Sequence, residues 1–437
     1  MYVYIILLVI FQVQYYYCYR YLCAKAHKII ILQDQIRGAS TNIVKKDGNH
    51  LFGLRTFARK TKIDLRSFTQ IIALNHNSIT VESNITIQAI LDFLIPKGYI
   101  LSVTPDMSHL TMGGIVAGIG GGSSSFRHGY FHEILTQFDI IIGNGELLTC
   151  SPNQNEDLFY GVPNTLGTLG YITQMTLTIR KCKPYVKTTN YLFHDSERFF
   201  NHLEQYQQDA TVDFLDGTIF GENQFVLVVG QFKDTLEGTL DNFVNDKVYW
   251  QSILKEKTHW FTTKAYIYRW DTDMYYTSMI IPSWMNKSSI RKCIPANCIP
   301  YIKKALPYVG VDNDISDIVA DVLIPFPKMR TFYQWYQQHI GLYPVYICPA
   351  QSGDNFSFWK KDLLCDFGIG YGIETDNAAA KRNAIEHKML ELRGRKFLYS
   401  RTTMSEDNFW KLYNKDAYMG LRKKYHAKSP QWYDKVT

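Results

Sequence analysis

Between Thr111 and Phe138 the chain places seven glycines and three serines, most densely in the run Gly118-Ile119-Gly120-Gly121-Gly122-Ser123-Ser124-Ser125. Where no Cβ stands in the way, backbone N–H groups can close on an anion, and serine hydroxyls add donors, so the pattern suits a cradle for a pyrophosphate. A flexible linker would be more polar and would not be interleaved with Met112, Ile115, Val116 and Ile119. The dinucleotide fingerprint GxGxxG is the first template to test. Gly118 and Gly120 fit it, Ser123 replaces its third glycine, and Asp139 follows at about the distance of a ribose-binding acid. The context excludes it. Asp139 opens a strand, residues 139–142, which turns at Asn144-Gly145, a type I′ signal, into a second strand over 146–149, and a hairpin has no place in a βαβ unit. Asp139 is then a structural residue. The eight cysteines are scattered; the pairs Cys18/Cys23 and Cys293/Cys298 lack the partners that would complete four ligands, so reduced thiols and no metal site are expected.

The elements that must hold this segment are legible nearby. Lys62 to Ser83 reads as two strands around the turn Asn75-His76-Asn77. Ile87, Ile90, Leu91 and Leu94 then fall on one face of a short helix, with Asn84 and Thr86 as caps and Pro96 and Gly98 beyond. A chain of 437 residues, 46% hydrophobic and 20% charged, folds into one to three domains. Its net charge of +7 is spread over short clusters such as Arg180–Lys183 and Arg422–Lys424, which are solvated faces and not a nucleic-acid footprint. Met1 to Tyr19 carries no charge, and Arg20, Lys25, His27 and Lys28 follow it. A cleaved signal peptide or a buried element would also accommodate the run. The expectation is an uncleaved, single-pass membrane anchor that holds the rest of the chain on the cytosolic side.

The segments TMGGIVAGIGGGSSSFRHGYFHEI and FDIIIGNGELLTCSPNQNEDLFYGVPNTLGTLGYITQMTLTI resemble the FAD domain of the vanillyl-alcohol oxidase and p-cresol methylhydroxylase flavoproteins. DIVADVLIPFPKM, LYPVYICPA, FGIGYG, KFLYSRTTMSEDNFWKLYNKDAYMGLRKKY and PQWYDKV resemble one branch of them, the Δ24-sterol reductases, also called diminuto or seladin, from about Lys62 to the end. The resemblance implies an α+β fold: a two-lobed p-cresol methylhydroxylase-type FAD domain (29–183), an antiparallel-sheet substrate cap (184–375) and a C-terminal segment (376–437) packing back on the flavin domain, after an anchor with its basic flank (1–28). It implies bound FAD, with Thr111, Gly113, Gly114, Gly118, Gly120, Ser123, Ser124 and Ser125 along the pyrophosphate and Gly167, Thr168, Gly170 and Ile172 supplying further contacts.

The implied reaction is NADPH-driven reduction of the Δ24 side-chain double bond of a sterol-like hydrophobic molecule at an endoplasmic-reticulum-type membrane. An isolated C=C bond needs a hydride on one carbon and a proton on the other. Tyr268 and Arg269 match a Tyr/His-Arg pattern of the branch; Arg269 would orient a phenol or offset the charge of reduced flavin, and Tyr268 or Tyr399 would deliver the proton. Asp366 reads as a turn residue where the cap returns to the flavin. Two departures stand out. Trp270 replaces the histidine that commonly follows the arginine, and the first-lobe phosphate loop is reduced to Lys45–His50, where Asp47 would repel phosphate and His50 could be imagined as a covalent flavin link. An oxidase of an alcohol or lactone with the same fold, or a non-catalytic flavin or sterol binder, are the alternative readings. No separate NADPH domain is visible, and the oligomeric state is not legible.

Overall fold

A computed structural model describes residues 26–39, 43–45, 61–241, 243, 249–271, 276, 318–353, 356, 362–370 and 376–437. The uncharged run Met1–Tyr19, both close cysteine pairs and His50 lie outside the described residues. A helix over 26–38 turns Leu32 and Ile36 onto Ile63, Leu65, Phe68, Ile141 and Tyr171, and Lys28 pairs with Glu82 at 2.6 Å, so Lys28 belongs to the folded domain. Among the described residues no helix is long and apolar enough to cross a membrane.

Strands β1 (Ile43–Lys45) and β2 (Thr61–Ile63) form a small parallel pair. The expected strand pair is present as β3 (Ile71–Leu74) and β4 (Ser78–Glu82), followed by a helix over Ile87–Leu94 whose cap Thr86 accepts the Ala89 N–H at 3.2 Å. Strands β5 (Tyr99–Leu101), β6 (Leu135–Ile141), β7 (Leu147–Cys150) and β8 (Tyr171–Lys181) complete an antiparallel sheet ordered β3-β4-β8-β6-β7, with β5 on β8. The hairpin β6–β7 turns where the sequence places it, but not as type I′. Only Gly145 adopts positive φ, at 83°, while the Asn144 carboxamide accepts the Glu146 N–H and so supports the turn by side chain. Asp139 accepts from Thr149 at 2.9 Å and Gln174 at 2.6 Å, and is therefore occupied within the sheet.

The second sheet holds β9 (Tyr185–Phe193), β10 (Phe214–Gly221), β11 (Gln224–Lys233), β12 (Thr258–Thr262), β13 (Ala320–Pro325), β14 (Val345–Gln351), β15 (Leu363–Ile369) and β16 (Arg395–Lys396). Its order is β12-β9-β11-β10-β14-β15-β13-β16, antiparallel throughout. Strands β13, β14 and β15 are buried along nearly their whole length because the sheet is covered on both faces. Helices cover one face: Phe199 abuts Gly217, and Phe332 packs on Phe367. The other face receives the glycine/serine segment of the first sheet's domain. Helices Glu406–Tyr413, Lys415–Lys424 and Trp432–Val436 close the chain back over that domain, with Tyr418 donating to Thr168 Oγ1 and Lys435 to the Leu166 carbonyl.

Candidate functional site

The glycine/serine segment begins as a helix over Met112–Gly118 that follows Thr111. Close packing explains several of its glycines. A Cβ on Gly113 would lie 3.0 Å from Ser83 Cβ, one on Gly120 2.6 Å from Ile115 Cγ2, and one on Gly122 2.4 Å from the Thr104 carbonyl. The serines hold the loop rather than offering free donors: Ser123 bonds the Tyr266 hydroxyl at 3.0 Å, Ser124 donates to the Ser102 carbonyl, and Ser125 accepts the Gly122 N–H. The donors left over are on the backbone. After Ile119 (φ 55°), the amides of Gly120, Gly121, Ser123 and Ser124 donate to no acceptor among the described residues, and both serines are buried. Amides left without a protein acceptor along one loop offer donors to an anionic ligand such as a pyrophosphate. Gly118 borders it with open space, the nearest atom to an added Cβ being Leu166 Cδ2 at 3.8 Å; Gly114 meets only Thr111 Oγ1, at 3.0 Å.

The turn over residues 167–170 sits differently. Gly167 needs its positive φ of 70°, a Cβ on Gly170 would collide with Ile140, and Thr168 is fully buried with its carbonyl on Arg422 and its hydroxyl between the Thr165 carbonyl and Tyr418. This turn is built against the C-terminal helices, and Ile172 is buried in β8.

Opposite the amide row lies a strip of polar side chains on the cap sheet. Register puts Thr218 opposite Tyr346, Cys348 opposite Asp366, and Asp366 opposite Leu323, and side chains directly opposite share a face. Asp216 and Asp321 lie on the same face two residues along their strands. The strip meets the glycine/serine segment directly: Cys348 Sγ is 3.4 Å from the Gly122 carbonyl, and the Leu215 N–H donates to the Ser123 carbonyl at 2.7 Å.

Arg269 stands at one end of this interlayer. It is 1% exposed, pairs with Asp106 of the first domain at 3.2 Å and with Asp216 of β10, and stacks 4.0 Å over the Tyr266 ring. Its charge is committed to two carboxylates, so it acts as a clamp between the domains more than as a free cation for a ligand. Tyr268, at the end of the helix Thr263–Ile267, has a buried hydroxyl with no partner among the described residues; burial, reinforced by Asp92 and Asp271, holds its pKa well above that of an ordinary phenol. Trp270 is buried edge-on to Tyr249 and Tyr346. Tyr399 stacks beside Phe397 and packs on the cluster of Ile119, Tyr130, Leu323, Ala350, Leu364 and Phe397, which joins the glycine segment to the cap sheet. The fold thus brings Tyr399 and Arg269 to the same interlayer from distant parts of the chain, whereas Tyr268 lies near Asp92 and Asp271, the latter bonded by Ser108.

Two features escaped sequence reading. Asp366 is no turn residue: it lies inside β15, 8% exposed, with its Oδ1 unpartnered among the described residues, and burial next to Asp321 raises its pKa well above the carboxylate range. An aspartate interrupting the apolar run Leu363–Ile369 was the available signal. The second is Asp241, Glu256 and His259, whose ligand atoms lie within 4.8 Å of one another, a spacing a metal ion could use; His259 already bonds Asp241 and Ser252.

The comparisons with known proteins agree with this arrangement. Residues 28–151 match the family model described as an FAD binding domain. With the amide row and the cap sheet facing it, this defines the class: the chain is an FAD-linked oxidoreductase with a p-cresol methylhydroxylase-type FAD domain. Within that class it is similar over most of its length to Delta(24)-sterol reductases, as its own segments indicated. The protein of that name from Homo sapiens is 26% identical over 384 residues, 82% of this chain and 74% of that protein; the one from Arabidopsis thaliana is 24% identical over 421 residues, 85% and 75%. Cytokinin dehydrogenase 4 of Arabidopsis thaliana is 34% identical over 140 residues, 31% of this chain and 27% of that protein.

Proposed function

We propose that the chain reduces the Δ24 side-chain double bond of a sterol, with NADPH as the source of electrons. The observation that carries this reading is the interlayer itself: an unaccepted amide row suited to a dinucleotide pyrophosphate lies against a buried strip of a cap sheet that is otherwise apolar, in a chain similar to sterol reductases along most of its length. Bound FAD supplies the hydride. Gly113, Gly114, Gly118, Gly120 and the backbone of Ser123–Ser125 border the pyrophosphate, with the 167–172 turn supporting them from behind. Arg269 fixes the cap against the flavin domain through Asp106 and Asp216, so that the alkene is held near the flavin. Tyr399 gives its hydroxyl proton to the carbon that does not take the hydride.

In this reading residues 29–183 bind FAD, 184–375 form most of the cap, 376–437 add β16 to the cap sheet and then brace the flavin domain, and Met1–Tyr19 anchors the chain in an endoplasmic-reticulum-type membrane. Among the described residues the only parallel ladder is β1–β2, which leaves no dinucleotide-binding sheet for NADPH and favours its visiting the flavin directly. The test is to purify the chain in detergent, record the flavin bands, reduce with NADPH and add desmosterol anaerobically. Saturation of the side chain with reoxidation of the flavin is the expected result. Rapid reoxidation by oxygen with the sterol untouched would replace this reading by an oxidase, and absence of flavin bands would leave a binding protein.

A further inference from the structure

A phenol that protonates an alkene in a closed site must regain its proton, and the interlayer contains a group able to return it. Asp366 on β15 and Asp321 on β13 lie on one face as diagonal neighbours, because Asp366 stands opposite Leu323 and Asp321 opposite Gly368. Both are 8% exposed. Asp366 Oδ1 has no hydrogen-bond partner among the described residues although the face it shares with Cys348 is the one that meets the glycine segment. Leu323 and Leu364, beside Asp366, belong to the cluster on which Tyr399 packs. The other titratable groups around the pair include two cations on β16: Arg395 stands opposite Leu323, and Lys396 interacts with Asp321 as well as with Glu386. Tyr130 and Cys348 are neutral and pushed up by burial, Cys365 likewise, and Lys396 on neighbouring β16 is bound to Glu386 and the Arg401 carbonyl.

We infer that Asp366, paired with Asp321, is the proton reserve of this site: its carboxyl proton restores the phenol that has protonated the alkene. This rests on the sterol-reductase reading above. Bound FAD, reduced by the nicotinamide, would supply the hydride to one alkene carbon; Tyr399 gives its proton to the other, the phenolate takes the Asp366 proton, and the carboxylate pair recovers a proton from water. Two carboxylates buried together cannot both ionise cheaply, and burial together with the neighbouring Asp321 raises the proton affinity of Asp366.

The experiment has two arms on the detergent-purified holoenzyme. Infrared difference spectra with ¹³C-labelled aspartate should show the carbonyl stretch of a protonated carboxylic acid at neutral pH, lost in Asp366→Asn. In the second arm, Asp366→Asn should slow multiple-turnover reoxidation of the flavin by desmosterol by roughly a hundredfold and flatten its alkaline limb, with Asp366→Glu partly restoring both. A wild type without the carboxylic-acid band, or Asp366→Asn turning over at full rate, overturns the inference. A wild type inert to desmosterol overturns the sterol reading instead, and the spectrum still decides the dyad.

Discussion

Gly118→Val separates a glycine needed by a ligand from one needed by the fold. Gly118 is the last residue of its helix, and its φ lies outside the positive region that disfavours side chains. An added Cβ finds nothing nearer than Leu166 Cδ2 at 3.8 Å, an ordinary contact. Glycine is among the poorest helix formers, so the ligand-free protein should keep its stability to within about 0.5 kcal/mol. The cost falls on the ligand. Displacing a phosphate oxygen from the adjoining amides forfeits one charge-assisted hydrogen bond, worth about 1.5–3 kcal/mol, or a roughly ten- to hundredfold weaker FAD affinity. Titration of flavin-stripped protein with FAD, followed by fluorescence quenching, measures this, and thermal melts of the stripped protein provide the control. Stoichiometric flavin at wild-type affinity would remove Gly118 from the site, and a lowered melting temperature would show that the residue serves packing. Gly120→Val cannot answer the question, because its Cβ would strike Ile115 at 2.6 Å and Pro105 at 2.9 Å and strain the loop without any ligand.

Arg269→Ala should be mainly a stability mutant, since it removes the buried cation paired with Asp106 and Asp216, 4% and 0% exposed, at a cost of about 3–5 kcal/mol; a urea midpoint unchanged from wild type would refute the clamp. Asp366 also gives stability a pH dependence. Its pKa is raised in the folded state, so its contribution is intact below the ordinary aspartate value of 3.8 and is lost as pH climbs from there towards the raised folded value, at up to about 1.4 kcal/mol per pH unit. Asp366→Asn should remove that slope in urea titrations across this window, and an identical slope in both proteins would assign it to other groups.

The sequence by itself determined what depends on neighbours along the chain. Glycine density around Gly118–Gly122 marked a close approach of backbone, Asn144-Gly145 marked the hairpin that excluded a βαβ unit, and the spacing of Ile87, Ile90, Leu91 and Leu94 with Thr86 set a capped helix. Local sterics and side-chain periodicity are written in short windows, which is why these survived into the fold. The turn type at Asn144 did not, because strand twist and side-chain support chose among turns that the same dipeptide permits. Which glycine faces open space and which is pinned by Pro105, Thr104 or Ser83 was decided only when distant segments packed. The same holds for charge. Arg269 looks like a free cation in its own stretch and becomes a clamp because β10 and the loop at Asp106 each deliver a carboxylate to it. Asp366 looks like a turn residue until antiparallel pairing carries Asp321 beside it and burial withdraws water from both, and neither partner nor solvent is visible from residue types in a row.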